Sequence, residues 1–277
     1  MQALQQILTL ARASYGKTTA IAVLLLTASP LAIAHNPLTG TVHERAAGGL
    51  SALVLLAAWF VYGRGSFVIR PSVGSAVTCH SAFLLCVVTV LGPLDDLAGT
   101  STAAHMLQHM LMIAVIAPLW VLGRPLPQLH AGGARYLAAI WRPLLRLASR
   151  PMPAAFVHGA VIWFWHMPSF YMLAVQQPWW HTIEHALFLS TAGVFWWSVL
   201  RASTVNSPDA AMALLFTLMH TGFLGALLTF SPEPVYHEAR SLADQQLAGL
   251  IMWVAGAIPY LVAAGWVLRR WYLRQAG

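Results

Sequence analysis

Long apolar stretches alternate with short polar or arginine-bearing connections from one end of the chain to the other. Uninterrupted runs of near twenty residues occupy roughly 46–63, 72–91, 103–122, 153–175, 180–200, 210–230 and 246–268. Each is long enough to cross a hydrocarbon core of roughly 30 Å at about 1.5 Å per residue, whereas buried helices of water-soluble domains are shorter and amphipathic. The pattern predicts an all-α polytopic bundle of seven transmembrane helices, without a second soluble domain.

Composition agrees: 58% of the residues are hydrophobic and 8% charged, against about 25% charged in a soluble domain. Net charge of +7 would suggest a polyanionic partner in a soluble protein. Here the charges sit between apolar runs and report orientation instead, so no nucleic-acid partner is expected. Arg64, Arg70, Arg124, Arg135, Arg142, Arg146, Arg150, Arg201, Arg269, Arg270 and Arg274 all fall on one side of the seven-span topology. The other side holds Glu44, Asp95, Asp96, Glu233, Glu238 and Asp244, with Arg45 and Arg240 as cations. The positive-inside rule makes the arginine side cytoplasmic, which puts the mature N-terminus outside and the C-terminus in the cytoplasm of a bacterial inner membrane.

Residues 1–34 stand apart. Arg12 and Lys17 precede an apolar stretch from Ala20 to Ala28, and Pro30 and Ala32-Ile33-Ala34 follow. This fits a signal peptide cleaved after Ala34, with an uncleaved anchor helix as the alternative; residues 35–277 form the membrane domain. Cleavage there would expose His35, whose amine and imidazole together offer a copper-chelating terminus. Residues 134–149 carry arginines on one flank and Tyr136, Trp141 and leucines elsewhere, the pattern of a short interfacial helix or of a plain basic loop. Cys79 and Cys86 share one apolar run, about 10 Å apart along a helix, and read as buried residues, not as a disulfide or a metal pair.

Ionisable side chains inside a bilayer are costly and mark function by default. The topology brings His105, His109, His181 and His185 to the outer parts of their spans, His166 somewhat deeper and His220 near mid-membrane. Two short patterns stand out: His105-Met-Leu-Gln-His109 and His181-Thr-Ile-Glu-His185. A spacing of i, i+4 stacks two imidazoles on one helical face, close enough to ligate one ion. Two such pairs at matching depth, with His166, form a candidate metal site, and Gln108 and Glu184 would fix the ring tautomers from outside the ligand set. Asp244 and Gln245, at the outer start of the last span, either complete the polar cavity or cap the helix. His80, His130 and His158 read as structural.

Imidazole suits copper, zinc, iron and nickel alike. Thioethers at Met106, Met110, Met167 and Met219 beside the histidines lean the choice towards copper, although most methionines in an apolar bundle only pack. Two rival chemistries fit parts of the pattern. His181-x-x-Glu184-His185 has the spacing of inverted zinc peptidases, in which the glutamate is the general base. His109 facing His185 across two helices could hold the axial positions of a haem, as in membrane b-type cytochromes.

Taken in order, several motifs resemble the multi-span CtaG-like family of cytochrome c oxidase assembly factors. They are His105-Met-Leu-Gln-His109 with Ala117-Pro118 and Leu122-Gly123-Arg124-Pro125; Trp165-His166-Met167-Pro168 with Tyr171; His181-x-x-Glu184-His185 with Phe195-Trp196-Trp197; and Asp244-Gln245-Gln246 through Gly249 to Met252-Trp253. The resemblance implies a part in maturing a haem-copper oxidase, through copper delivery or insertion. The implied partners are oxidase subunits, periplasmic copper chaperones and membrane lipid. It implies no catalysis by this chain, so no enzyme activity is expected.

Overall fold

Helix starts are set by side chains that satisfy orphan backbone donors. Thr41 and Glu44 form a reciprocal capping box, Ser72 caps onto Ser75, and Ser241 onto Asp244. Proline opens the helices beginning at Pro93, Pro151, Pro168 and Pro178, where its missing N–H has no intrahelical partner to lose. The computed structural model describes residues 41–203, 205–236 and 240–275. The segment read as a signal or anchor, His35 and Glu238 lie outside the described residues.

The described chain is helical throughout: α1 (Val42–Val68), α2 (Val73–Leu91), the short α3 (Pro93–Thr100), α4 (Thr102–Gly123), α5 (Leu126–Gly132), α6 (Ala138–Leu147), α7 (Pro151–His166), α8 (Pro168–Gln176), α9 (Pro178–Leu200), α10 (Ser207–Phe230) and α11 (Leu242–Gln275). Six of these, α1, α2, α4, α9, α10 and α11, are long and apolar enough to cross a membrane. Large apolar side chains such as Phe60, Phe67, Phe223, Phe230 and Val262 are more than half exposed, as lipid-facing surfaces require and aqueous ones do not.

The run expected as one span at 153–175 is not one continuous helix. It divides at Met167, which adopts an extended conformation (φ −65°, ψ 134°) between α7 and α8. Pro168 is the cause, because its ring excludes helical geometry at the preceding residue. With 16 residues, α7 spans only about 24 Å at 1.5 Å per residue.

Two helices widen into π-turns, α4 at Leu111–Ile116 and α11 at Ile251–Ala255. Each lies just before a proline, Pro118 and Pro259. Proline lacks the N–H that would bond the carbonyl four residues back, and its ring collides with that carbonyl. The wider turn re-pairs the backbone: Gly256 N–H donates to Ile251 O at 2.9 Å, and the indole of Trp196 on α9 reaches Ile113 O at 2.7 Å.

The two helices carrying paired histidines, α4 and α9, are the most buried of the six. Helix α9 packs against α7, α8, α4, α1 and α10, while α4 packs against α2, α3, α9 and α11. Their cytoplasm-facing ends in the expected topology are tied by arginines. Arg201 donates to Val121 O at 2.6 Å, and Arg270 to Ala202 O at 2.7 Å, each satisfying a carbonyl at a helix end. Arg124 ends α4 in a left-handed conformation (φ 54°). Residues 134–147 form a 3₁₀ turn and α6 with no buried residue. Cys79 and Cys86 are free and fully buried.

Candidate metal centre

Helices α4 and α9 run side by side, and their first two turns face each other. On α4, His105 and His109 lie four residues apart with ring centroids 4.3 Å apart; on α9, His181 and His185 are 4.1 Å apart. Across the interface, His105 lies 5.2 Å from His181 and His109 lies 5.5 Å from His185. The result is a two-tier stack of four imidazoles. All are buried except His181, which is partly exposed in the first turn of α9.

Glu184 shares the α9 face with His181 and His185, as i, i+3, i+4 spacing dictates, and is fully buried. Its Oε2 lies 3.6 Å from His105 Nε2 and 3.5 Å from His109 Nε2. These separations are too long for N–H···O bonds. They are close to the roughly 3.3 Å edge of a tetrahedron with metal–ligand bonds of about 2.0–2.1 Å. Neither Glu184 oxygen has a hydrogen-bond partner, and the same holds for His105 Nε2, both nitrogens of His109 and His185 Nε2. A fully buried carboxylate among unbonded imidazoles is costly unless a cation compensates it. One atom each from His105, His109, His181 and Glu184 lies within 4.8 Å of all the others. The donor set therefore fits a metal ion, and Glu184 belongs to that set.

His166, at the end of α7, has its ring 6.4 Å from His109. Its Nδ1 lies 2.7 Å from Ile162 O. A carbonyl only accepts, so Nδ1 carries the proton and the unbonded Nε2 keeps its lone pair. Phe188 packs against both His109 and His166, at 4.7 and 6.2 Å. His166 also borders a groove of about 660 Å³ lined by Trp163, Met167, Phe223, Leu227 and Tyr236.

Three residues placed around the site from the sequence make hydrogen bonds to the surrounding framework. Gln108 donates to Asp95 Oδ1 at 2.7 Å and Thr89 O at 2.9 Å, and so bonds a carboxylate that itself lies beside His181 and His185. Asp244 caps α4 from α11, accepting from Ser101 Oγ at 2.7 Å and from the Thr102 N–H at 2.5 Å. Gln245 ties the loop before α11, accepting from Val235 N–H at 2.7 Å and donating to Leu228 O at 3.3 Å. Asp244 and Gln245 tie the start of α4 and the loop before α11. Three of the four thioethers do not converge on the histidines: Met167 and Met219 are 44% and 66% exposed, and the sulfur of Met110 lies against Gly256.

Asp95, which the sequence marked only as an outer charge, lies within 4.8 Å of His181 and His185 donor atoms. Tyr171 on α8 packs on His105 at 5.3 Å and stacks on Tyr236 at 3.7 Å. Tyr236 in turn donates to His166 O at 3.3 Å. Arg240 donates to Tyr171 Oη at 3.4 Å and to Gly99 O at 2.9 Å, linking α8 to the end of α3.

Residues 55–274, from inside α1 to the end of α11, match the cytochrome c oxidase caa3 assembly factor family. The chain belongs to that family. The match takes in every histidine of the stack, so the metal-compatible cluster of this assembly factor lies within the part the family shares. Comparison with curated proteins and with solved structures gives no match.

Among the described residues, His80 and His158 have local partners and His220 lies against a neighbouring helix. His80 accepts from the Trp59 indole at 2.8 Å, and His158 meets Thr191 Oγ1 at 2.9 Å. His220 lies over Gly159, where an added Cβ would come within 2.9 Å of its Nε2.

Proposed function

We propose that the chain supports oxidase assembly by holding copper as cargo in the outer half of the bundle, bound by His105, His109, His181 and Glu184 with His166 and His185 adjacent. The observation that carries this reading is the buried Glu184 carboxylate, unbonded and flanked by imidazole nitrogens at 3.5 and 3.6 Å. In this reading α7 and α8 together form the seventh crossing, the N-terminal side faces outside, and the arginine-rich connections face the cytoplasm of a bacterial inner membrane. The site then faces the compartment from which periplasmic chaperones supply copper, and oxidase subunits take it up within the membrane.

Charge balance supports a copper cargo. One carboxylate with neutral imidazoles around Cu(I) sums to zero, the arrangement that costs least in a low-dielectric interior. The thioethers of Met110, Met167 and Met219 no longer contribute to the choice of metal, since the first lies against Gly256 and the other two are exposed. Packing disfavours the haem alternative: His109 is pressed between His105 at 4.3 Å and Phe188 at 4.7 Å, which leaves no plane for a macrocycle beside it. A hydrolase would need water and a substrate groove at Glu184, which is fully buried.

Metal analysis of the detergent-purified protein beside a variant with His105, His109, His181 and His185 all changed to alanine tests the reading. Copper in the parent and its loss in the variant are expected. Equal copper content in both sinks the site.

A further inference from the structure

Two donor sets, not one, are built around the histidine stack, and they share a member. The first is His105, His109, His181 and Glu184; the second is Asp95, His181 and His185. Asp95 reaches the stack because Pro93 starts the short α3 immediately after α2. Gln108, one residue before His109, then holds its carboxylate at 2.7 Å. Asp95, His105, His109, Glu184 and His185 are all at most 7% exposed, whereas His181 in the first turn of α9 is partly exposed.

A neutral imidazole has a single lone pair. His181 therefore serves one ion at a time, and the two sets exclude simultaneous occupation. We infer that the cluster is a two-position relay for one cation, with His181 as the pivot ligand and Asp95 with His185 completing the second position. This rests on the copper-holding reading above. The step between positions is ligand exchange without redox change. The bonds to Asp95 and His185 break as bonds to His105, His109 and Glu184 form, while that to His181 persists. The ion moves with one carboxylate in attendance at each end, so it never crosses the apolar interior as a bare charge.

The test uses Cu(II) added stoichiometrically to metal-free, full-length protein in detergent, read by electron paramagnetic resonance and by copper content. The relay predicts one copper per chain distributed between two signals. Asp95→Asn, which keeps an oxygen to accept from Gln108, removes one signal and leaves copper content unchanged. His185→Ala removes the same signal by an independent change, and Glu184→Gln removes the other. A single signal unaffected by Asp95→Asn overturns the relay, as does binding of two coppers per chain or loss of all copper in Asp95→Asn. No copper in the parent, matching a His105→Ala, His109→Ala variant, would instead overturn the underlying holding reading.

Discussion

Glu184→Gln is the sharpest perturbation of the centre, because it preserves volume and shape while removing the charge. A cation held with the carboxylate stabilises the folded state by about 4.1 kcal/mol when present at about 1,000 times its dissociation constant. At about 2–4 °C per kcal/mol for a chain of this size, that is an upward shift of roughly 8–16 °C in the unfolding midpoint. Loss of a residue that only orients a ligand costs about 10–100-fold in affinity, and loss of a ligand atom at the 3.5 and 3.6 Å vertex described above should cost at least the upper figure. A hundredfold loss is about 2.7 kcal/mol, leaving a shift of roughly 3–6 °C in the variant at the same metal concentration. The assay is thermal unfolding of detergent-purified protein with copper and with chelator. Comparing shifts, not midpoints, cancels any change in metal-free stability. Equal shifts in parent and variant would refute the assignment of Glu184 as a ligand.

Other outcomes can be checked in the same preparation or in cells. Asp244→Ala removes a side-chain cap from the start of α4 and should cost about 2 kcal/mol, seen as a midpoint roughly 4–8 °C lower; an unchanged midpoint would mean the cap is replaced by solvent. Trp196→Phe leaves Ile113 O without its 2.7 Å donor inside the bundle and should cost about 1–3 kcal/mol, with no change in copper content. Gly249→Leu places a side chain against Thr229 and the Gly225 carbonyl, forcing α10 and α11 apart and lowering detergent stability more than any of these. For orientation, cysteines introduced at Glu233 and Ser149 separate the sides, since the native thiols are buried. An impermeant thiol reagent on intact spheroplasts should label the first and spare the second, and the reverse pattern would invert the topology.

The long helices and the paired histidines were readable because both depend on period: apolar runs give the spans, and i, i+4 spacing puts two rings on one face. What spacing alone does not convey is rotation about the helix axis. Met110, Met167 and Met219 look like neighbours of the histidines along the chain, but the first lies against Gly256 and the other two are exposed. Gln108, one residue from His109, is turned towards α3 by the same geometry. Asp95 was invisible as a site residue because its place depends on a short helix folding back between α2 and α4, a tertiary event with no local pattern. The division of the fourth apolar run was written in Met167-Pro168 but outweighed there by hydropathy, which measures solvent preference and not backbone continuity.

The π-turn in α4 also sets the phase of the site. A π-turn accommodates one residue more than the regular helix would, and each residue advances the helix by about 100° at 3.6 residues per turn. Upstream and downstream halves of α4 are thus indexed separately: Gly123 fits against Cys79 of α2 at one end, while His105 and His109 are turned towards α9 at the other. Deleting one residue between Leu111 and Ile116 would leave both halves helical and the composition of the span almost unchanged. It would nonetheless swing the two imidazoles about a quarter of a turn out of register with Glu184, dismantling the centre without touching any of its ligands.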